Sequence, residues 1–386
     1  MRFSEKLDSF WCSAAEISRT EGKGILRQLS EIARHKFRNP TLGITDYYTY
    51  RLHRLDPGDR SLSQSYLGWR VQEELAYAVN VRAAVLPGWD KFTFHLYADR
   101  FGIPAPRVLA SFRPCLVPQE QASGTLLTHS DQLENWLRAN KQWPIFAKPC
   151  FSQQSVGCFH ISSYHAADDT LEFLGDKPMR VEDFVRQVIL APSGPYFKRE
   201  MGYLFQAVMH PHDDIVALTG NSTISGIRVI VAQDETGPEI VSAFWRIARH
   251  ARVSDLWIDR ESGHLAAPVE VESGIVGAAI NGLAPQEFTH SPETGVPIQG
   301  FQLPDWSVAK ALCLASATIF PLVRLQHWDV ALTDQGPRLL EFNDVGAFGF
   351  PQMFGQGLLT PKLRKILIEK GDKRRYPWIE SLCSQS

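Results

Sequence analysis

Apolar positions along the chain change their period several times, and each change marks an element. In the first 85 residues the spacing is by threes and fours. RQLSEIARHKF (27–37) and YLGWRVQEELAYAVN (66–80) both place their apolar residues at helical intervals. The stretch between them, NPTLGITDYYTYRLHRLDPGD (39–59), is punctuated by Pro and Gly and reads as loop and short elements. Residues 1–85 are therefore expected to form a mainly helical region, a structural or partner-facing cap with no constellation of polar residues that suggests chemistry. From residue 86 the texture alters. KFTFHLYADRF (91–101) predicts a helix stopped by Gly102, and IPAPRVLASF (103–112) leads into a strand. SDQLENWLRANKQ (130–142) predicts an amphipathic helix capped by Ser130, and WPIFAKPCFSQQSVGCFHI (143–161) reads as strand, loop, strand. GIRVIVAQ (226–233) and EIVSAFWRIAR (239–249) are strongly β-patterned around a turn, and PDWSVAKALCLASATIFPLVR (304–324) reads as a helix with Asp305 near its start. Helices around a largely antiparallel set of strands give an α+β fold class.

One pair of strands raises a chemical question. WDVAL (328–332) and RLLEFN (338–343) flank TDQGP, which reads as a five-residue loop of turn formers. If Leu332 pairs with Arg338, antiparallel register carries Asp329 directly opposite Glu341. Strict alternation then puts Asp329, Ala331, Leu339, Glu341 and Asn343 on one face, and Trp328, Val330, Leu332, Leu340 and Phe342 on the other. Opposed carboxylates repel unless a cation lies between them. Asp329, Glu341 and Asn343 offer only oxygen, the donor set that suits a hard divalent cation such as Mg²⁺, which completes its shell with substrate phosphates. The plain alternative is a polar strand face turned to water.

Composition narrows the class without naming a function. The 386 residues are 44% hydrophobic and 21% charged, with a formal net charge of −2, so no global field favours nucleic acid or an anionic membrane. The first ten residues carry charges where a signal peptide needs an apolar core, and LCLASATIFPLV (312–323) is too short to span a bilayer. Six cysteines at 12, 115, 150, 158, 313 and 383 form no CxxC pair, which argues against a zinc site or disulfide framework. A cytoplasmic protein that does not span a membrane is expected. No Walker-type or GxGxxG glycine motif occurs. Lys148 ends the short strand IFAKP before a loop that holds Gly157, where an ammonium and backbone N–H groups could meet phosphate, although a lysine at a strand end is more often simply solvated. The two histidines of HPHDD (210–214) are read as solvent-facing rather than as ligands of a transition metal.

Taken in order, WDKF (89–92) with GIPAP (102–106), IFAKP with GCFHI (157–161), YLFQAVMHPH (203–212), GIRVIVA with AFWRIAR (243–249), and WDVALT with GPRLLEFN resemble the ATP-grasp superfamily. The nearest branch is that of the sugar-transfer-associated ATP-grasp proteins. The resemblance runs from about residue 86 to 355, and its most specific element is the last hairpin, an acid, a second acid twelve residues on, and an Asn two beyond. It implies ATP and Mg²⁺ held between two α+β subdomains, expected at 86–200 and 201–360, after the helical region 1–85 and before a basic C-terminal helix or tail at 361–386. It implies that Lys91 and Lys148 contact phosphates, that the backbone of Gln206, Ala207 and Val208 meets the adenine edge, and that His210 or Asp213 reaches the ribose. Arg228 and Arg246 would stand near the transferring phosphoryl group, and Asp329, Glu341 and Asn343 would hold the metal. The bland reading of the arginines is a pairing with a nearby carboxylate.

One departure stands out. The loop after the KP strand is usually glycine-rich in the family and here reads CFSQQSVG, so that phosphate would rely on Ser155, Gly157 and Ser152. Cys150 and Cys158 are read as packing residues. The implied activity is an ADP-forming ligase that joins a small-molecule carboxylate to an amine or thiol (amino acid, peptide or sugar-linked) through an acyl-phosphate, in polysaccharide, peptide or natural-product biosynthesis. The alternatives are a small-molecule kinase on the same fold and a catalytically inactive nucleotide-binding accessory of a glycan pathway. Acceptor specificity is expected from loops at 221–225, 253–265 and 344–356.

Overall fold

The computed structural model describes residues 3–56, 64–114, 124–152, 155–194, 198–250, 263–281, 286–346 and 349–383. Two seven-stranded sheets carry the architecture. The first contains β1 (Val108–Phe112), β2 (Thr125–Leu127), β3 (Ile145–Pro149), β4 (Phe159–His165), β5 (Thr170–Phe173), β6 (Met179–Arg180) and β7 (Tyr203–Ala207), in the order β2-β1-β7-β3-β4-β5-β6. The second contains β8 (Ile227–Asp234), β9 (Gly237–Ile247), β10 (Leu265–Val269), β11 (Ala279–Ile280), β12 (Glu287–Phe288), β13 (Leu325–Thr333) and β14 (Gly336–Asn343), in the order β12-β11-β10-β9-β8-β13-β14. Every ladder between these strands is antiparallel except β1–β2. The α+β class expected from the pattern is the class found.

Helix Lys91–Phe101 is wedged between the two sheets. Asp90 caps it, with Oδ1 accepting the Phe92 N–H at 3.2 Å, and Gly102 ends it at φ 66°, the left-handed stop that favours glycine. Phe92 packs with Leu204 of the first sheet, while Phe94 joins the core of the second. That second core lies between one face of β8, β9, β10, β13 and β14 and helix Trp306–Ala317. The helix expected at 130–142 spans Ser130–Ala139, but its cap is His129 rather than Ser130, with the Gln132 side chain accepting the His129 N–H.

The remaining segments cover the other face of the second sheet. Tyr50 and Tyr66 pack on Phe244, Ala266 and Ile280. Leu75 and Val79 share a core with Ile230, Ala232, Leu325 and the helix Pro361–Lys370. The expected divisions at residues 85 and 360 thus run through shared cores. Strand β7 lies beyond the division expected at residue 200, yet it hydrogen-bonds between β1 and β3 in the first sheet. The chain crosses between sheets just after it, where the His210 carbonyl accepts the Asp334 N–H at 3.1 Å and the His212 N–H donates to the Leu332 carbonyl at 3.0 Å.

The last hairpin departs from expectation at its turn and recovers. Thr333 pairs with Gly336, so the turn is Asp334–Gln335 and Leu332 faces Pro337 instead of Arg338. Carried through, that one-residue slip would put Asp329 opposite Leu340. A β-bulge prevents it: Val330 pairs with Leu339, whereas Asp329 pairs with Glu341. Leu340 is the extra residue, and its insertion breaks alternation. Leu339, expected beside Glu341, is instead fully buried in the core with Trp328, Val330, Leu332 and Phe342, and Leu340, expected in that core, is only half-buried.

Phe342 ties the hairpin to its surroundings, with ring centroids 4.6 Å from Phe320, 5.0 Å from Trp328 and 6.3 Å from Phe94. Its truncation leaves a cavity where helix Lys91–Phe101, the hairpin and the Phe320 turn meet. Phe342→Ala is expected to lower unfolding stability by about 3–5 kcal/mol, measured by urea denaturation.

Candidate active site

Asp329 and Glu341 are brought together by strand register, and their neighbours arrive the same way. Arg228 on β8 pairs with Asp329, which in turn pairs with Glu341 on β14, so three ionic side chains form one row across three strands. The row lies on the face opposite the Trp328 core. Arg246 on β9 is two residues from Phe244, the partner of Arg228, and so points to the same side. Asn343, two residues beyond Glu341 and opposite His327, completes the set on that face.

The two carboxylates do not meet as a naked repulsive pair. Asp329 takes both ends of one guanidinium: Arg228 Nε donates to Oδ1, and its second nitrogen donates to Oδ2 at 2.9 Å. Arg246 adds a contact of 3.5 Å to Oδ1. The pairing of the arginines with a carboxylate, the bland alternative, therefore holds, and the carboxylate concerned is the expected metal ligand. Arg249, three residues beyond Arg246, pairs instead with Glu293 at 2.7 Å. Glu341 is met by Lys91, whose Nζ stands 3.2 Å from Oε2 and also donates to the Ser152 carbonyl at 3.0 Å. Lys148 is buried, with Nζ 3.5 Å from the Leu340 carbonyl, the oxygen that the bulge displaces from regular pairing.

These contacts set the protonation states. Burial opposes ionisation of Glu341, but Lys91, Lys148 and Arg228 outweigh it and hold the carboxyl at about 2. Burial also works against the charge on Lys91, yet Glu341 lifts that ammonium above its ordinary value. Lys148 goes the other way, because burial outweighs the help it receives from Glu341 and Lys91 adds repulsion. The site thus sets four cations, Lys91, Lys148, Arg228 and Arg246, around two carboxylates. That surplus of positive charge in a half-closed seam is suited to a polyanion.

The expected nucleotide-edge residues are placed unevenly. Gln206 is central in the first sheet, opposite both Val108 and Phe146, and its side chain is buried with Nε2 2.8 Å from His95 Nε2. Burial first, and Lys148 second, push His95 down to about 3, so the ring is neutral and accepts from the Gln206 amide. The Ala207 N–H is taken by the Arg107 carbonyl at 3.0 Å. Val208 and His210 follow at the crossing, where with Ala207, Arg107, Trp143 and Pro144 they line a cavity of about 250 Å³. That cavity opens at the start of β3, the end opposite Lys148. His95 was not singled out from the sequence, although it lies four residues after Lys91 and so on the same helix face.

Of the glycine-poor loop, Gln153 and Gln154 lie outside the described residues, as does most of the expected acceptor segment 253–265. Ser155 and Gly157 both take left-handed backbone, φ 56° and 77°, and close a turn in which the Cys158 N–H donates to the Ser155 carbonyl at 3.1 Å. A Cβ on Gly157 would stand 2.9 Å from the Tyr203 hydroxyl and 3.0 Å from Pro149 Cγ, so the loop folds back on the end of β3 only with glycine there. Burial raises Cys150 to about 12 and Cys158 to about 11, and both thiols stay protonated as packing groups. In the other acceptor loop, Gln352 accepts the Leu67 N–H at 2.6 Å and returns a hydrogen bond to the Leu67 carbonyl at 2.8 Å, tying residues 349–352 to the N-terminal region.

The family model for sugar-transfer associated ATP-grasp matches residues 70–367. No curated protein matches the chain. Among solved structures it is similar to D-alanine–D-alanine ligase from Helicobacter pylori, with 10% identity, TM-score 0.39, and 83% of this chain and 70% of that one covered. It is also similar to D-alanyl-alanine synthetase A from Vibrio cholerae (13%, TM-score 0.37, 77% and 64% covered) and to N5-carboxyaminoimidazole ribonucleotide synthetase from Thermotoga maritima (11%, TM-score 0.36, 78% and 56% covered). The chain spans less than two thirds of the length of the latter two.

Because the folded-state value for Glu341, about 2, lies below the ordinary 4.5, its ion pairs stabilise the fold above pH 4.5 and are lost as pH falls toward 2. Urea unfolding of the ligand-free protein at pH 5 and pH 3 is expected to show a larger loss for the wild type than for Glu341→Gln, which has no carboxylate to protonate.

Proposed function

This chain belongs to the sugar-transfer associated ATP-grasp family, and we propose that it is an ATP- and Mg²⁺-dependent ligase joining a small-molecule carboxylate to an amine or thiol. The observation that carries this reading is the row Arg228–Asp329–Glu341 with Lys91, Lys148 and Arg246 converging on it from other elements. The donor chemistry fits a hard divalent cation. Glu341 and Asn343 present oxygen on one face, and Asp329, although clasped by Arg228, keeps lone pairs that the guanidinium does not use. The four cations fit the phosphates of a nucleotide held in the same seam.

Bound Mg²⁺–ATP would supply the phosphoryl group that turns an unreactive carboxylate into an acyl-phosphate with a competent leaving group. The protein's part is positioning and charge. Lys148, short of its own counterion and anchored on β3, offers its ammonium to phosphate oxygens at little cost. Lys91 links the loop at Ser152 to Glu341, so an anion arriving in the seam and the carboxylate compete for one ammonium. Arg228 and Arg246 stand on adjacent strands with rigid forks, placed to balance charge that grows on a transferring phosphoryl group and on a tetrahedral adduct. Val208 and His210, beside the sheet crossing, are the residues we assign to the nucleoside end. Gln206 supports that end indirectly, by holding His95 and with it the helix that begins at Lys91.

In purified protein with ATP and Mg²⁺, ADP release should depend on the joint presence of a carboxylate and an amine and should be matched by a condensed product. A protein that binds no ATP in the presence of Mg²⁺ sinks this reading, and a stable phosphorylated substrate replaces it with a kinase. Glu341→Gln should lower turnover on the order of 10³-fold while near-ultraviolet circular dichroism and the melting transition remain those of a folded protein.

A further inference from the structure

Helix Ile25–Arg38 is built inside out. Its buried residues are Gln28, Glu31 and His35. Of its apolar residues, Ile25 and Ile32 are half-buried, Ile32 against the core under Tyr47 and Tyr50, whereas Leu26, Leu29, Ala33 and Phe37, spaced by three, four and four and therefore stacked along one line, point to solvent. Leu26 and Phe37 are 84% and 86% exposed, among the highest values of any large apolar side chain described, and Leu29 is 41% exposed.

The inversion is held in place by the polar side. Gln28 Nε2 donates to the carbonyls of Ala14, at 3.0 Å, and Lys23, at 2.7 Å, and its Oε1 accepts from the Tyr48 hydroxyl at 3.0 Å. Glu31 accepts from the Tyr47 hydroxyl at 2.6 Å and from Lys23 at 3.1 Å. Rotating the helix to hide the apolar line would strand a buried amide and a buried carboxylate, each costing more than the exposed leucines lose. The line is therefore a fixed outward feature of the fold.

Its flanks are basic. Arg27 and Arg34 border it on one side and Lys36 on the other, and all three are exposed, Arg27 with one N–H on Glu31 at 3.1 Å. The only acid on the helix is Glu31, which is buried. Across a two-fold contact between copies, these like charges would face one another, so the occupant must be anionic. Three large side chains also fall short of the ~800 Å² per partner that a stable protein interface needs, whereas a fluid bilayer sets no such threshold. Among the described residues no helix is long and apolar enough to cross a membrane, and this one would lie along its surface.

We propose that helix Ile25–Arg38 docks the protein on an anionic lipid bilayer, with Leu26, Leu29, Ala33 and Phe37 entering the headgroup boundary and Arg27, Arg34 and Lys36 meeting lipid phosphates. The site is distinct from the charged row on the second sheet and does not depend on the reaction assigned to it.

The test is co-sedimentation of the full chain with vesicles of phosphatidylcholine alone or with about a third phosphatidylglycerol. Binding is expected to the anionic vesicles, with a several-fold loss between about 0.05 and 0.5 M salt. The double variant Leu26→Ser, Phe37→Ser should bind about tenfold or more weakly at an unchanged melting temperature, and Arg34→Gln with Lys36→Gln should lose the preference for anionic lipid. Failure to sediment with either vesicle, or equal sedimentation of the Leu26/Phe37 variant, overturns the proposal. So does a wild-type dimer in sedimentation velocity that the same variant converts to monomer, since the stripe would then be covered by a second copy.

Discussion

Two carboxylates face each other across a strand pair because four cations, each delivered by a different element, make that arrangement tolerable. Lys91 comes from the helix between the sheets, Lys148 from the first sheet, Arg228 and Arg246 from neighbouring strands of the second. Buried or half-buried charge is sustained only when it is paired, and removing one partner leaves the other exposed to the full cost of desolvation. The relative placement of both sheets, of helix Lys91–Phe101 and of the loop at Ser152 is therefore bound to this cluster.

The cluster is also asymmetric, and that bears on function. Asp329 is clasped by a bidentate guanidinium, Glu341 shares a single ammonium, and Lys148 has a carbonyl at the limit of contact. Under the proposed function, such a gradient would let an incoming anion draw first on Lys148 and Lys91 without dismantling Arg228–Asp329. Mg²⁺ would meet Glu341 and Asn343 as the more open donors. The repulsion anticipated from two opposed acids is thus already balanced by protein cations, and a metal would rearrange that balance rather than create it.

The N-terminal region contributes at two levels. Its tyrosines and the helix Gln72–Val79 cover the face of the second sheet next to the charged row, and Gln352 binds the loop after the row to Leu67. Its helix Ile25–Arg38 turns the opposite way, with polar groups consumed internally and apolar groups presented outward. A region whose sequence holds no constellation of polar residues suggesting chemistry thereby frames the site on one side and turns an apolar line outward on the other.

The facing of Asp329 and Glu341, expected from a register that the turn does not adopt, is restored by a bulge; sequence alone determined most of the elements, the α+β class and the order of motifs, because these follow from local period, turn formers and spacing. It did not determine the Leu340 bulge. A two-residue turn and a five-residue loop differ by one register step, and which is chosen depends on how Leu339 and Phe342 pack against Trp328 and Phe320. Nor could it show that Gln206 turns inward to His95, that Arg228 clasps the intended metal ligand, or that helix Ile25–Arg38 buries its polar side. A helical period shows that a stripe exists, but only the neighbouring hydrogen-bond partners, here Tyr47, Tyr48, Lys23 and Ala14, decide which stripe is drawn inward.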